Sequence, residues 1–331
     1  MNKIQFWEFV RACLQDDEPV MLLLVVESGG SSPGKPGFKM AVTIDGRIHG
    51  TIGGGIMEKE LADTAGKLLA RGPGRPQLLK LLHHEGRTAT SVPSWGGVGK
   101  RSGMICSGWQ RLAMLPLAGS DSDAVGSLIF ALKRNRPGRL KFSPGGMEFQ
   151  PREKPTAAIA FTSKSAEDWL YQEEAGQRPT VTIIGGGHVG LALSRVMADL
   201  NFHIVVLDDR ARVATMAANT YVQEKQVVSY KSIGKHISEG KESYVVIMTF
   251  GHQGDERVLE QLAGKKLRYL GLMGSPAKIA QIFARLKKKG VGAASLKKVH
   301  APVGLPINSH TPEEIAVSIA AEIIQVKNQP S

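Results

Sequence analysis

The sequence predicts an α/β chain of two domains: a C-terminal parallel-sheet domain of the doubly wound kind and a smaller N-terminal α+β domain. Three observations predict it. The apolar run Val181–Ile184 ends in Gly185-Gly-Gly-His-Val-Gly190 and opens into an amphipathic helix over Leu191–Leu200, followed by a second apolar run, Phe202–Leu207, that ends in Asp208-Asp209. A buried strand, tight glycine turn, helix and buried strand in that order make a βαβ unit. After it, further apolar runs near Val227, at Tyr244–Thr249 and at Tyr269–Met273 alternate with helical patterns, as a parallel sheet requires. The upstream half instead reads as short strands joined by glycine-rich turns. With 331 residues the chain can bury a core in each half. The polar stretch Asp168–Arg178 sets the expected boundary: 1–170 for the N-terminal domain and 171–331 for a Rossmann-like C-terminal domain.

Taken in order, residues 3–15 place Ile4, Trp7, Val10 and Leu14 at helical spacing, and Asp16-Asp17-Glu18-Pro19 ends the helix. Val20–Glu27 reads as a strand and Ser28–Gly37 as a loop rich in Gly, Ser and Pro. Asp45-Gly46 between two apolar runs predicts a hairpin over Phe38–Ile52. Gly53-Gly54-Gly55 leads into a helix over Ile56–Leu69, which Arg71-Gly-Pro-Gly-Arg-Pro76 terminates. Strands are expected within residues 77–117, a helix over Asp123–Lys133, and a hairpin turning at Ser143-Pro-Gly-Gly146. In the second half, Phe250–Asp255 reads as a loop. Ser275-Pro276 caps a helix, and Thr311-Pro-Glu-Glu314 is a capping box that opens the last one.

The balance of 42 basic to 30 acidic residues gives a formal charge of +12, which suits an anionic ligand or partner. The basic residues are spread along the chain, and the clusters at 264–268 and 285–289 fall at polar helix ends. Aromatic residues are sparse and no basic stripe interleaves with them, which argues against a nucleic-acid platform. Cys13 and Cys106 are the two cysteines, so neither a disulfide framework nor a zinc site can be built from cysteine alone. No secretory apolar segment precedes residue 19 and no apolar run reaches membrane-spanning length, so the expectation is a cytoplasmic protein without a membrane partner.

Within the fingerprint, Gly185 is expected to make the tight turn, Gly187 to let backbone approach a phosphate, and Gly190 to pack helix on strand. Amides at a helix start favour an anion. Asp208 stands where a carboxylate accepts from a ribose in dinucleotide-binding domains. The fold by itself does not choose the ligand.

Several stretches together resemble the XdhC/CoxI family of xanthine dehydrogenase accessory factors. They are Glu27-Ser-Gly-Gly-Ser-Ser-Pro-Gly34, Gly50-Thr-Ile-Gly-Gly-Gly-Ile-Met-Glu58, Gly185–Gly190, Leu207-Asp-Asp-Arg210, Gly271-Leu-Met-Gly-Ser275, and Ala301-Pro-Val-Gly-Leu305 through Thr311–Ala316. The resemblance implies a homodimeric accessory protein rather than an enzyme. It would bind molybdenum cofactor, protect it while a cysteine desulfurase supplies the terminal sulfido ligand, and hand it to a molybdenum hydroxylase apoenzyme. The chain departs from the family pattern in carrying Ile56 where many relatives have cysteine, Gly251-His-Gln-Gly-Asp255 where a His-Asp pairing is usual, and Pro276 where a basic residue is usual.

Molybdenum cofactor is a pterin dithiolene ending in a phosphate, so a carrier needs amide donors for phosphate and polar groups for the pterin. Gly53, Gly54 and Gly55 supply a second glycine loop before a helix, with Ser31, Ser32 and Lys35 alongside as donors; the plainer reading is that these glycines only make turns. Glu58 is placed to meet a ligand or to cap the helix, and capping is the simpler role. Cys106 offers a soft thiolate or an inert buried thiol, whereas Cys13 reads as packing. His188 is expected to donate to phosphate or to sit as a surface histidine. His252 and Asp255 make a candidate acid–base pair, and Asp208 and Arg210 either grip ribose and phosphate or bridge to each other. The competing reading is an NAD(P)-dependent oxidoreductase, or a protein holding another nucleotide, on the same glycines. No Lys-His or Tyr-Lys arrangement supplies its catalytic groups, so no catalytic residue and no dedicated metal ligand is assigned.

Overall fold

A computed structural model describes residues 3–72, 74–84, 87–90, 108–153 and 159–329. The chain divides into two compact units, one running from Lys3 to Gln177 and the other from Arg178 onward.

The first unit is α+β. Its elements are α1 (Lys3–Gln15), β1 (Val20–Gly30), β2 (Lys39–Thr43), β3 (Ile48–Gly50), α2 (Gly55–Leu69), β4 (Gln77–His84), β5 (Arg87–Thr90), β6 (Gly108–Leu117), α3 (Ser122–Lys133), β7 (Gly138–Ser143), β8 (Gly146–Pro151), β9 (Ala160–Ser163) and β10 (Trp169–Ala175). A six-stranded antiparallel sheet has the order β3-β2-β1-β6-β4-β5, and a four-stranded one the order β8-β7-β10-β9. The unbroken apolar run in β1 follows from its position at the centre of the larger sheet. Val20, Leu22, Leu24 and Val26 pack with α1 and α3, while Met21, Leu23 and Val25 face the other way into a core shared with α2. Cys13 is buried on α1, in the packing role expected of it. The stretch around residue 170 is not a linker. Trp169, Tyr171 and Ala175 alternate inward on β10, which pairs with β7 and β9, so the first unit extends to Gln177.

The second unit is α/β. Its elements are β11 (Thr180–Ile184), α4 (His188–Asp199), β12 (His203–Asp208), α5 (Ala214–Ala218), β13 (Glu224–Val227), a 3-10 turn (Tyr230–His236), β14 (Gly240–Ile247), α6 (His252–Leu262), β15 (Leu267–Leu272), α7 (Pro276–Lys288), α8 (Ala293–Leu296) and α9 (Pro312–Asn328). The five strands run parallel in the order β13-β12-β11-β14-β15. Val181 and Ile183 turn to one face and pack with α4 and α9, while Ile184 turns to the other with α6 and α7. The chain starts at β11, moves out to β13, and returns to β14 on the opposite side. The C-terminal ends of β11 and β14 therefore form the topological switch point, where open α/β sheets place ligands. The predicted caps are present: Ser275 caps α7 with Pro276 at its first position, and Thr311 and Glu314 complete the capping box of α9. Among the described residues no helix is long and apolar enough to cross a membrane.

Candidate functional site

The glycine turn between β11 and α4 performs two of the expected jobs, the tight turn and the close packing of helix on strand. The Gly185 amide donates to the Leu207 carbonyl at 2.8 Å, and a Cβ at Gly185 would lie 2.1 Å from the Met248 carbonyl oxygen on a backbone already at φ 124°. A Cβ at Gly190 would meet the Gly185 carbonyl at 2.4 Å, so this glycine sets the approach of helix to strand. Gly187 is the N-cap, and a Cβ there would meet nothing within 4 Å, which leaves open the approach to backbone that the motif predicts. Helix α4 begins at His188, three residues before the apolar periodicity suggests. The first intrahelical bond of this turn runs from Leu191 to the Gly187 carbonyl at 3.0 Å, so the amides of Gly187 through Gly190 have no acceptor within the helix. His188 is exposed and lines a cavity of about 540 Å³ with Arg195 of α4, Tyr221, and Pro312 and Val317 of α9.

Asp208 does not stand ready for a ribose. Its Oδ2 accepts from the Gly186 amide at 2.7 Å and from Arg210 Nη2 at 2.8 Å, and its Oδ1 accepts from the Arg210 amide at 3.0 Å and Nε at 2.9 Å. Of the two roles open to this pair, the structure has the bridge. Burial alone would raise the Asp208 carboxyl, but the Arg210 side chain and the Gly186 and Arg210 amides outweigh it and hold the group below the usual carboxylate range. A guanidinium carries five N–H donors, so Arg210 keeps three beyond those given to Asp208. Its guanidinium lies 5.4 Å from the centroid of Phe250, a ring that is 85% exposed at the end of β14. Nearby, the Tyr230 hydroxyl is buried without a hydrogen-bond partner. Burial, then the Asp208 and Asp209 charges, push this phenol above its ordinary range, and the Asp209 amide beside it can only donate, so the phenol proton lacks an acceptor.

The expected pair of His252 and Asp255 does not form. Residues 252–255 are the first turn of α6 rather than a loop, and His252 is exposed at its start. Asp255 is fully buried. Its Oδ1 accepts from the Thr249 amide at 2.9 Å and hydroxyl at 2.7 Å, and its Oδ2 from Lys278 Nζ at 2.5 Å. This carboxylate ties the end of β14 to α6 and α7, so it has no oxygen free to orient an imidazole.

In the first unit the two glycine-rich loops do fold together. A Cβ at Gly34 would lie 2.3 Å from the Ile52 carbonyl, and one at Gly53 would lie 2.8 Å from the Gly34 amide. Their polar groups are nevertheless spent on each other. Glu58 Oε2 accepts from the Thr51 hydroxyl at 2.7 Å and from the amides of Ile52 at 3.0 Å and Gly54 at 2.8 Å, while the Gly53 amide donates to Thr51 Oγ1 at 3.1 Å. A carboxylate of the chain itself occupies the place a phosphate was expected to take, which makes Glu58 a cap. Gly55 opens α2 directly behind that carboxylate. Ser32 is also committed inside the loop, its hydroxyl placed 3.1 Å from Gln110 Oε1 and 3.2 Å from the Gly34 carbonyl. Ser31 and Lys35 are exposed. Cys106 lies outside the described residues.

Phe250, Tyr230 and Lys278 carry no signal in the sequence that marks them as site residues. Phe250 reads as the first residue of the loop after an apolar run, and nothing local separates Tyr230 or Lys278 from ordinary surface positions. The Ala301–Leu305 motif proves to be a packing device. Glu322 accepts from the Tyr269 hydroxyl at 2.5 Å, the Gly304 amide at 2.8 Å and His300 Nδ1 at 2.8 Å, and so pins that segment to α9.

Comparison with known proteins agrees with this architecture. Residues 181–323 match the XdhC Rossmann domain, and residues 13–82 match the XdhC and CoxI family. The uncharacterized protein YqeB of Escherichia coli K12 is 28% identical over 313 residues, which is 94% of this chain but 44% of that protein, so the chain spans less than half of that relative's length. A Bacillus subtilis 168 protein described as a probable subunit of xanthine dehydrogenase is 22% identical over 340 aligned positions, covering 98% of each. A crystal structure from Bacillus halodurans described as a xanthine dehydrogenase superposes with a TM-score of 0.72 at 22% identity, covering 98% of this chain and 96% of that one, and so shares the fold. With both halves matched in order by descriptions of one family, the chain belongs to the XdhC and CoxI family.

Proposed function

We propose that this protein is an accessory factor for a xanthine dehydrogenase-type molybdenum hydroxylase, and that it binds molybdenum cofactor at the switch point of its Rossmann domain and delivers it to the apoenzyme. The observation that carries the reading is the state of Asp208. With both its oxygens engaged by Gly186 and Arg210, the crevice presents donors: the first-turn amides of α4 and the remaining Arg210 N–H groups, with the buried Tyr230 hydroxyl nearby. Such a set favours oxyanions, and Asp208 has no oxygen left for ribose hydroxyls, which weighs against NAD and the oxidoreductase reading.

The residues fit the cargo in two respects. The open N-cap at Gly187 admits a phosphate to the amides, and the exposed Phe250 ring beside Arg210 can stack a flat heterocycle. His188 and His252, both exposed at helix starts on this edge, would supply further donors. A role for Cys106 near the metal, supply of sulfur by a cysteine desulfurase partner, and a homodimer belong to the same proposal. The bound group would bring the molybdenum redox centre, while the chain's part is to hold it and shield it from water.

Anaerobic incubation with molybdenum cofactor, removal of the free form, and measurement of retained molybdenum and of oxidised pterin fluorescence tests the reading. Retention above that of an unrelated basic protein, together with activation of a hydroxylase apoenzyme, is expected. Retention no better than that control, or strong binding of NADH with enhanced nicotinamide fluorescence, would overturn it.

A further inference from the structure

The first unit holds a partly open cavity of about 270 Å³ that the proposed function does not use. Its walls include Phe6 and Trp7 from α1 and Leu128 and Leu132 from α3, all buried. Lys3, Lys39 and Glu173 also line it, the last two with side chains only 9% and 12% exposed. Lys39 Nζ donates to Glu173 Oε1 at 2.6 Å and to the Gly37 carbonyl at 3.0 Å, and Tyr171 donates to Glu173 Oε2 at 2.8 Å.

The arrangement is costly to the fold on two counts. An apolar cavity forgoes packing, and a buried ammonium gives up hydration. Burial pushes the Lys39 ammonium below its ordinary range, against the opposing pull of Glu173, and the nearby Lys3 charge adds to the depression. The polar balance at the cavity is one-sided. Both Glu173 oxygens have donors, whereas an ammonium has three N–H groups, and two of those of Lys39 are accounted for. What the cavity has to offer a guest is aromatic and aliphatic wall plus a cationic donor. Preformed sites for small ligands have this composition, mostly apolar with a few placed polar groups.

We propose that this cavity is a binding site for a small aromatic monocarboxylate, its ring between Phe6, Trp7 and the α3 leucines and its carboxylate accepting from Lys39 Nζ. The site lies within the first unit and stands or falls independently of cofactor delivery by the second.

The test is titration of the full chain with benzoate and with benzamide, its neutral counterpart of the same shape, followed by ligand-observed NMR and by tryptophan fluorescence, since Trp7 lines the cavity. Benzoate is expected to bind at least about tenfold more tightly than benzamide, as a hydrogen bond between charged groups implies. Leu128→Phe, which fills the space, should abolish binding and leave the thermal midpoint equal or higher. Lys39→Met alone strands the Glu173 carboxylate, so the double variant Lys39→Met/Glu173→Gln is the informative one: it should fold and bind the two probes equally. Absence of benzoate binding, equal binding of both probes to the unaltered chain, or a benzoate preference that survives either variant would each overturn the proposal.

Discussion

Replacing Asp208 with asparagine tests whether this residue is a structural clamp or an idle ligand acceptor. The carboxylate takes four hydrogen bonds at 2.7 to 3.0 Å, two of them from a guanidinium and two from amides, one of which belongs to the glycine turn. An asparagine keeps one oxygen and turns the other position into a donor that faces donors. One buried donor left unpaired costs about 1–3 kcal/mol, and loss of the charge weakens the bonds that remain. Arg210 is 38% exposed on its side chain, so water recovers part of its pairing, and a total of about 2–4 kcal/mol is the expected destabilisation of the second unit. The pH dependence has the same origin. The carboxyl ionises more readily folded than unfolded, so its contribution is present above the unfolded value of about 3.9 and is lost as pH falls from there through the folded value. The four tryptophans, at positions 7, 95, 109 and 169, all precede Arg178. Their fluorescence therefore follows the first unit, while far-ultraviolet circular dichroism follows both. In urea, Asp208→Asn should shift the dichroism transition to lower denaturant and leave the fluorescence transition in place. An unshifted dichroism transition, with no loss at low pH relative to the asparagine variant, would refute the clamp and return Asp208 to the role of a free acceptor.

Tyr230→Phe removes a buried hydroxyl that lacks an acceptor, so the thermal midpoint should hold or rise, while retention of molybdenum cofactor should fall by about tenfold if a ligand oxygen accepts that proton; unchanged retention would assign the acceptor to water. Gly185→Ala drives a Cβ to 2.1 Å from a backbone oxygen on a left-handed residue and should cost about 3 kcal/mol or more, read as loss of the second unit's dichroism transition under conditions where the first unit stays folded. Glu58→Ala releases three donors around Gly54 and should destabilise the first unit by about 1–2 kcal/mol, with faster amide hydrogen exchange confined to residues 51–55. If exchange there stays slow, the carboxylate is not what orders the loop.

Local rules acting on the residues alone determine much of this protein. A continuous apolar run, a glycine turn and an amphipathic helix identify β11, α4 and β12 because each depends only on side-chain period and on backbone conformations that glycine permits. The caps of α7 and α9 are equally legible, since a cap is satisfied within four residues. Local reading fails where neighbours far along the chain decide. Trp169–Ala175 carries Gln172, Glu173 and Glu174 and looks like a linker, yet pairing with β7 and β9 buries one face of it and pulls Glu173 onto Lys39, a residue 134 positions away. His252 and Asp255 look like partners by spacing, but Asp255 is captured by Thr249 and by Lys278 of α7. The sequence by itself determined that amides at a glycine turn would be available to an anion. Only the tertiary structure decided which of two such turns remains open, because Glu58 fills the first with a negative charge of its own, whereas Asp208, shared between the Gly186 amide and Arg210, leaves the amides from Gly187 onward without an acceptor in the helix.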